Sequence, residues 1–504
     1  MRRRLLHAAI VVVAGALLAH AYSSAYLPFA WDGAAWFALA PLLVIALRHR
    51  PWPAFGWTWV GSFVFFLGLL RWLNFTFRVY SSIPWPLTWG PTMLLAGYCA
   101  LWPAAVCALV AWIASRRSAG WALLVAPFLW VAAEWGRGHL MGGFPWGLLG
   151  YSQHARLLVI QIAELGGVYA VSFVMLAVNA AIAGCVVLPV RRAATGLAFA
   201  GAVLVATLGF GMWRLAAPPP AGDVTIAAMQ PSIEQPLKWD ERHVEETLSV
   251  YFGLTRSVGP RGADLIVWPE TASPSVLRRD PVLLGALATL ATTLDARLLI
   301  GSIDPDERAG RFRNSAFLVS GKGIENRYDK IHLVPFGEYV PLSSVIGFVR
   351  SWAEFISEME PGSHATVFQG PPAPFGVVIC YEGIFPELFR DFVRNGARFM
   401  VNMTNDAWFG RTTGPAQHLE MYPFRAIEHR VALVRAANTG ISAFIAPSGA
   451  IVRALPLFER GMLTDRIPLR RGQTLYTRLG DWLAYLSLAV AGVIVAAELA
   501  WRKA

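Results

Sequence analysis

Charge is what this chain of 504 residues is short of, with 15% Asp, Glu, Lys and Arg against about 25% in an ordinary soluble domain. Cysteine is scarce as well, at four residues. No internal repeat and no low-complexity tract is present. The shortage of charge excludes disorder and a charged coiled coil, and four Cys in so long a chain exclude a disulfide-stapled scaffold. What is abundant is apolar: 56% of residues are hydrophobic and 21 are Trp. So much apolar surface needs either a very large core or lipid.

The net charge is +11, which by itself would suggest a nucleic-acid partner. Its distribution excludes one. Residues 217–478 hold 27 basic and 27 acidic residues, whereas the flanks 1–216 and 479–504 hold 16 basic and 5 acidic. The whole excess lies in the apolar flanks, as it does in a membrane protein whose basic residues sit at span ends.

Eight apolar stretches fall at about 5–25, 31–48, 55–74, 88–115, 119–136, 166–189, 195–214 and 482–501. A bilayer needs roughly 20 apolar residues per helix, so most qualify and the second and fifth are short. The more polar 139–165, with Gly142-Gly143-Phe144-Pro145-Trp146, reads as a re-entrant or interfacial segment. The organisation expected is a seven-helix bundle over 1–216, an extramembrane domain over 217–478, and an eighth helix with the C-terminus over 479–504.

Arg2–Arg4, Arg48 and Arg50, Arg116 and Arg117, Arg191 and Arg192, and Arg502 with Lys503 fall on alternate connections, and so on one side. The positive-inside rule makes that side, with both termini, cytoplasmic. It places 217–478 across a bacterial inner (cytoplasmic) membrane, on the periplasmic face. Arg2–Arg4, an apolar run and Ala19-His20-Ala21 resemble a cleavable signal peptide. A second apolar stretch within about ten residues favours an uncleaved first span, and the orientation of the rest is the same either way.

Residues 217–478 open at Pro218-Pro219-Pro220 and then alternate strand-like and helix-like runs. Strands are expected at Val224–Met229, Leu265–Trp268, Leu298–Ile303, Ser315–Val319, Phe375–Ile379 and Phe399–Met403, and helices at 237–257, 280–294, 384–395 and 416–435. The alternation defines one α/β domain. Cys99, Cys107 and Cys185 fall in spans, so Cys380 is the one Cys of the domain. A lone thiol on the oxidising side of a membrane invites oxidation, so Cys380 reads as a candidate nucleophile or as buried filler, and not as half of an intradomain disulfide.

Cys380 ends an apolar strand and precedes Tyr381-Glu382-Gly383-Ile384-Phe385-Pro386, which opens a helix. The helix N-terminus would favour a thiolate there. A nucleophile also needs a base and a cation. Glu270, in Trp268-Pro269-Glu270-Thr271 directly after a strand, is a candidate base. Lys330, in Tyr328-Asp329-Lys330-Ile331-His332-Leu333, could place its ammonium on a developing oxyanion.

The order and contexts of Glu270, Lys330 and Cys380 resemble the Glu-Lys-Cys triad of the nitrilase (carbon–nitrogen hydrolase) superfamily over roughly 222–455. Such a domain after seven spans and before one more resembles the bacterial apolipoprotein N-acyltransferases. Gln230 to Trp239, Asn314-Ser315, Val334 to Pro341, Asn402 to Gly410, Asn438-Thr439-Gly440, Glu134-Trp135 and Phe144 to Gln153 also fit that family. The resemblance implies an α-helical membrane bundle of about eight transmembrane helices plus an α-β-β-α sandwich, with Cys380 as nucleophile, Glu270 as general base and Lys330 as oxyanion stabiliser. It further implies acyl transfer from a phospholipid to the N-terminal amine of S-diacylglyceryl-cysteine on an apolipoprotein, through a Cys thioester and without metal or cofactor. Glu338 and Glu382 would position Lys330 or help form the site, Tyr381 would line the pocket, and Trp239 would touch the acyl chains. The amphipathic 343–359 reads equally as a buried helix or a mobile lid. Two other readings fit the same chain: a membrane-tethered nitrilase-type amidase using water as acceptor, and a transporter or scaffold with an inactive domain.

Overall fold

A computed structural model describes residues 1–22, 31–218, 220–238, 240–306, 310–340, 358–370 and 372–500. It divides into two compact units. One comprises 1–74, 85–217 and 478–504, and the other 75–84 and 218–477.

The first unit is helical. Among the described residues, seven helices are long and apolar enough to cross a membrane: Arg2–His20, Pro51–Leu69, Trp89–Arg116, Ala119–His139, Ala163–Val187, Val190–Leu215 and Trp482–Ala500. The apolar stretch at 31–48 is shorter than a span. It forms a 3-10 turn, Asp32–Trp36, and a helix, Ala40–Leu47. The junction between them leaves backbone groups without helical partners, and buried Asn179 supplies them: its Oδ1 accepts from Leu39 N (2.9 Å) and Ala40 N (3.0 Å), while its Nδ2 donates to the Ala35 carbonyl (3.0 Å). The segment 139–165 folds back into the unit as two short turns, Leu140–Gly142 and Leu149–Gln153, and a helix, Leu157–Ile160. Its loose carbonyls are met from inside. Arg137, itself buried, donates to Phe144 O (2.9 Å) and Trp146 O (2.6 Å), and Glu134 accepts from Leu149 N (2.7 Å). Irregular backbone in an apolar bundle needs such internal partners, because lipid offers none.

The second unit holds two sheets. Six strands run in the order β11-β1-β2-β3-β4-β5 and five in the order β10-β9-β8-β7-β6. They are β1 Val224–Gln230, β2 Leu265–Val267, β3 Arg297–Asp306, β4 Arg311–Ser320, β5 Gly323–Asp329, β6 Phe375–Ile379, β7 Phe399–Thr404, β8 Leu433–Ala437, β9 Ser442–Ile445, β10 Ile451–Leu455 and β11 Gly461–Ile467. The strands β1, β2 and β3 are parallel to one another, as are β6, β7 and β8. β1 packs on β8 and β9, and β4 on β6, so the sheets lie face to face. Helices Val244–Ser257 and Pro281–Leu294 cover the outside of the first sheet, where Tyr251, Leu287 and Leu290 meet Trp268, Ile300 and Phe317. Helices Pro386–Arg394 and Tyr422–His429 flank the second. The result is an α-β-β-α sandwich. Strands covered on both faces are largely apolar: β2, β6, β7 and β8 are buried at every position, with Asn402 and Thr404 on β7 and Arg435 on β8 as the polar exceptions.

Two expected helices are corrected. The one expected over 237–257 becomes regular only at Val244, after a 3-10 turn at Glu241–His243. The helix expected over 416–435 ends at His429, because Arg430 adopts a left-handed conformation (φ 49°) and closes it. Leu433–Ala437 then forms β8, where apolar residues fill the space between the sheets.

Candidate active site

Three chain segments bring the expected residues together at strand ends. β2 runs straight into the turn carrying Glu270. That turn lies against β3 so closely that a Cβ on Gly301 would come within 2.3 Å of Pro269 O and 2.6 Å of Thr271 N, so only glycine fits. Lys330 follows β5 and its N–H donates to Asn314 O on β4 (2.8 Å). Cys380 follows β6 immediately.

Around Lys330 the groups are close together and enclosed. Its ammonium donates to Glu338 Oε1 (2.8 Å) and Glu270 Oε1 (3.3 Å) and is 1% exposed. Asn314 Nδ2 donates to the same two carboxylates, at 2.7 Å to Glu270 and 3.3 Å to Glu338. The second oxygen of each carboxylate is held by backbone: Glu270 Oε2 by Asn405 N (2.8 Å) and Glu338 Oε2 by Val334 N (2.8 Å). Burial works against the Lys330 charge, but Glu338, Glu270 and Cys380 outweigh it and raise its pKa above the ordinary lysine value. The ammonium is therefore permanent. A fixed cation facing two carboxylates and a thiol can stabilise an oxyanion while one carboxylate accepts a proton.

Cys380 departs from expectation in one respect. Burial first, and Glu270 second, push its thiol well above the ordinary cysteine range, against the opposing pull of Lys330. The short 3-10 turn it opens, Cys380–Ile384, does not offset the loss of water. The resting side chain is thus a neutral thiol, and a nucleophile must be generated by proton transfer during attack.

The backbone at Cys380 is left-handed (φ 52°), and so are Thr271 (φ 45°) and Phe336 (φ 60°), beside Glu270 and between Lys330 and Glu338. Such a conformation costs about 1–3 kcal/mol at a non-glycine residue and persists only where the surroundings fix it. Glu382 supplies one restraint. Its Oε2 accepts from Ile379 N (2.7 Å), and its Oε1 accepts from Ile331 N (2.6 Å), His332 N (3.1 Å) and Tyr328 Oη (2.8 Å). It therefore ties the chain after Lys330 to the chain before Cys380. Burial pushes its pKa up to about 7, although those donors and Lys330 favour the charge. Glu338 touches Lys330 directly and Glu382 acts through the backbone.

Three features of the site had no role assigned from the sequence. Below Cys380 lies a buried group from four segments: Asp406, His418, Tyr422 and Arg435. Tyr422 Oη donates to the Cys380 carbonyl (3.2 Å) and lies 3.2 Å from His418 Nε2; Arg435 bonds Asp406 (2.5 Å) and Asn402 Oδ1 (2.7 Å). Burial opposes the Asp406 charge, yet Arg435 and His418 hold its carboxyl well below the usual range. Burial and Arg435 lower the His418 pKa, so the ring is neutral. His418 Nδ1 lies 3.1 Å from Asp406 Oδ1 and 3.2 Å from Arg435, so a proton on Nδ1 is donated to the Asp406 carboxylate. Gly383 makes room for this tyrosine, whose hydroxyl would lie 2.1 Å from a Cβ there.

The second feature is Lys238, whose buried ammonium donates to Glu270 O (2.9 Å) and Thr271 Oγ1 (2.5 Å) and so braces the turn of the candidate base. Burial lowers its pKa to about 8, despite Glu270 and Cys380 favouring the charge. The third is a chain of amides. Asn405 Nδ2 donates to Gln235 Oε1 (2.7 Å), and Asn438 Nδ2 donates to Asn405 Oδ1 (3.0 Å) and Ile233 O (2.8 Å). Asn314, Asn405, Asp406 and Asn438 all sit in runs singled out by sequence, but without roles. Tyr381 packs edge-on to Phe385 (ring centroids 5.1 Å apart). Trp239 and residues 343–357 of the amphipathic stretch lie outside the described residues.

Two face-to-face sheets with flanking helices define the class: residues 225–476 match the Carbon-nitrogen hydrolase family. Residues 14–181 match the Apolipoprotein N-acyltransferase N-terminal domain. A Geobacter metallireducens protein named apolipoprotein N-acyltransferase is 38% identical over 98% of this chain and 95% of its own length. Proteins of the same name from Rhizobium meliloti and Gloeobacter violaceus are 34% and 32% identical, over 84% and 100% of this chain and 81% and 96% of their own lengths. Among solved structures, Saccharomyces cerevisiae Nit3 of the nitrilase superfamily is 20% identical with a TM-score of 0.38, covering 50% of this chain and 92% of its own. The chain belongs to the apolipoprotein N-acyltransferase family and is an acyltransferase.

Proposed function

We propose that this chain moves a fatty acyl group from a membrane phospholipid to the α-amino group of an S-diacylglyceryl cysteine at an apolipoprotein N-terminus. The observation that carries the reading is the enclosed contact of Lys330 with Glu270 beside the Cys380 thiol, in a chain of this family.

In the first half-reaction the Cys380 sulfur attacks the acyl ester carbonyl while Glu270 takes the thiol proton. Lys330 stabilises the tetrahedral oxyanion. The C–O bond breaks, Glu270 returns the proton to the leaving oxygen, and a lysophospholipid departs, leaving a Cys380 thioester. In the second, the acceptor amine attacks the thioester, its proton passes to Glu270, and collapse yields an amide and the thiol. Glu338 and Glu382 position Lys330, Tyr381 lines the pocket and Trp239 contacts the acyl chains. A neutral resting thiol suits this scheme, because a free thiolate would be oxidised between turnovers. The apolar bundle anchors the enzyme in the inner membrane, with residues 217–478 on the periplasmic face, as the Lys/Arg distribution supports.

The competing acceptor is water, which would make the enzyme an amidase-like hydrolase. Purified full-length protein supplied with phospholipid and a diacylglyceryl-cysteine peptide discriminates them. Acylated peptide with little free fatty acid is expected. Free acid at the same rate with and without peptide would overturn the reading. For orientation, alkaline phosphatase fused after Gly222 is expected to be active, and inactive fusions would refute the periplasmic placement.

A further inference from the structure

The helical unit contains an apolar cavity of about 360 Å³ between the helices Ala119–His139, Ala163–Val187 and Val190–Leu215. Its walls are apolar or small, among them Leu124, Pro127, Ala181 and Phe199, and its rim carries Ser118, Arg192 and Thr195. On the first helix the lining runs from Ser118 to Pro127. At 1.5 Å per residue this is about 14 Å, close to the hydrocarbon depth of one leaflet, about 15 Å. The cavity therefore has the length of one lipid's inner chain segment and opens at the bundle end that carries Arg116, Arg117, Arg191 and Arg192.

The charge at that end is unbalanced. Three arginines of the unit meet carboxylates: Arg117 with Glu498 (2.6 Å), Arg156 with Asp32 (2.5 Å) and Arg214 with Glu164 (2.7 Å). Arg191 and Arg192 have no acidic partner among the described residues. Two helices begin here, at Ala119 and Val190, and two end here, at Arg116 and Val187, so the helix dipoles offset one another and the arginine side chains set the potential. The second has Pro189 as its N-cap, which offers no side-chain acceptor. Among the described residues no Asp or Glu lines the cavity, so its lining offers no carboxylate to the ammonium of a zwitterionic headgroup.

We propose that this cavity is a binding site for an anionic phospholipid of the leaflet on the arginine side, with an acyl chain in the cavity and the phosphate on Arg192. Guanidinium is suited to the phosphodiester because its fork makes paired, charge-assisted bonds to two oxygens. Basic pockets between membrane helices bind acidic headgroups on the same principle. No residue of the site belongs to the unit that holds Cys380, and the lipid proposed here is a structural one. The inference rests on the bundle lying in a bilayer and is independent of the acyl-transfer reading.

The test uses full-length protein in mild detergent with equal amounts of phosphatidylglycerol and phosphatidylethanolamine, read by native mass spectrometry. Wild type is expected to retain one phosphatidylglycerol in preference to phosphatidylethanolamine by roughly tenfold, a difference of about 1.4 kcal/mol. Arg192→Ala is expected to remove that preference. Gly196→Leu is expected to abolish retention of both lipids, because a Cβ at Gly196 meets nothing within 4 Å and the leucine enters the cavity without clash. Arg48→Ala, outside the lining, serves as the control and retains the wild-type preference. Equal retention of the two lipids by wild type, or unchanged retention in either the Arg192 or the Gly196 variant, overturns the proposal.

Discussion

Buried polar side chains do different work in the two units. In the helical unit they serve the backbone: Asn179, Arg137 and Glu134 each bond to main-chain groups where a helix breaks. In the α/β unit they chiefly face one another: Lys330 with Glu270 and Glu338, Asp406 with Arg435 and His418. The first arrangement repairs a local loss of hydrogen bonds, which water would otherwise meet and lipid does not. The second confines charges that would be more stable in water, and such confinement is characteristic of sites built for chemistry. Losing a backbone-serving side chain should therefore lower stability and leave the rate per folded molecule intact. Losing a member of the charged group should do the reverse or both.

The largest effect is expected at Cys380. Cys380→Ser is nearly isosteric, so the thermal unfolding midpoint should hold while acyl transfer falls to background, since a hydroxyl is a far poorer nucleophile at this site. Near-normal transfer by the variant would remove the thiol from the mechanism. Next is Lys330→Met. Loss of one oxyanion donor lowers a rate by about 10²–10³, and the variant also leaves Glu270 and Glu338 buried without their cation. Adding Glu338→Gln should restore part of the stability but none of the rate. Recovery of the rate would mean that Lys330 acts only structurally.

Tyr422→Phe is expected to be milder. It removes one hydrogen bond to the Cys380 carbonyl, about 1 kcal/mol, and should lower kcat several-fold without changing KM, as measured in single-turnover acylation. An unaltered kcat would separate the Asp406 group from the nucleophile. Lys238 gives a pH test. Below about 8 its ammonium is charged, and the charge is lost as the pH rises through that value. Activity should fall modestly there in wild type, and Lys238→Arg, which stays charged, should shift that limb upward. Identical profiles would exclude Lys238 from it. The smallest effect on rate belongs to the helical unit: Asn179→Leu should destabilise by about 1–3 kcal/mol, read by thermal unfolding in detergent, with an unchanged rate per folded molecule. A rate loss without a stability loss would erase the contrast between the units.

What could be read from the residues alone follows the same division. β1, β2, β6 and β7 were legible because strands covered on both faces are continuous apolar runs. β5, with Glu325, Asn326 and Arg327, and β10 and β11, with Arg453 and Asp465, were not, because edge strands in partial contact with water carry polar residues and lose the signal. The helices of the first unit were legible by length and apolarity, whereas 31–48 divided at a junction that only Asn179 explains. At the site, Glu270, Lys330 and Cys380 stood out through strand-end contexts and their family resemblance. Asp406, His418, Tyr422 and Arg435 come from a turn, two helices and a strand, and each has the composition of a surface residue. Their burial is a property of the fold and leaves no periodic trace.

The central claim is that Cys380 carries the acyl group between donor and acceptor. Its most direct test is the intact mass of the full-length protein after incubation with phospholipid and no acceptor. The account predicts one added fatty acyl mass, located on Cys380, removed by hydroxylamine and discharged when a diacylglyceryl-cysteine peptide is supplied. An unmodified protein that nonetheless acylates the peptide, or an acyl group on any other residue, would contradict it.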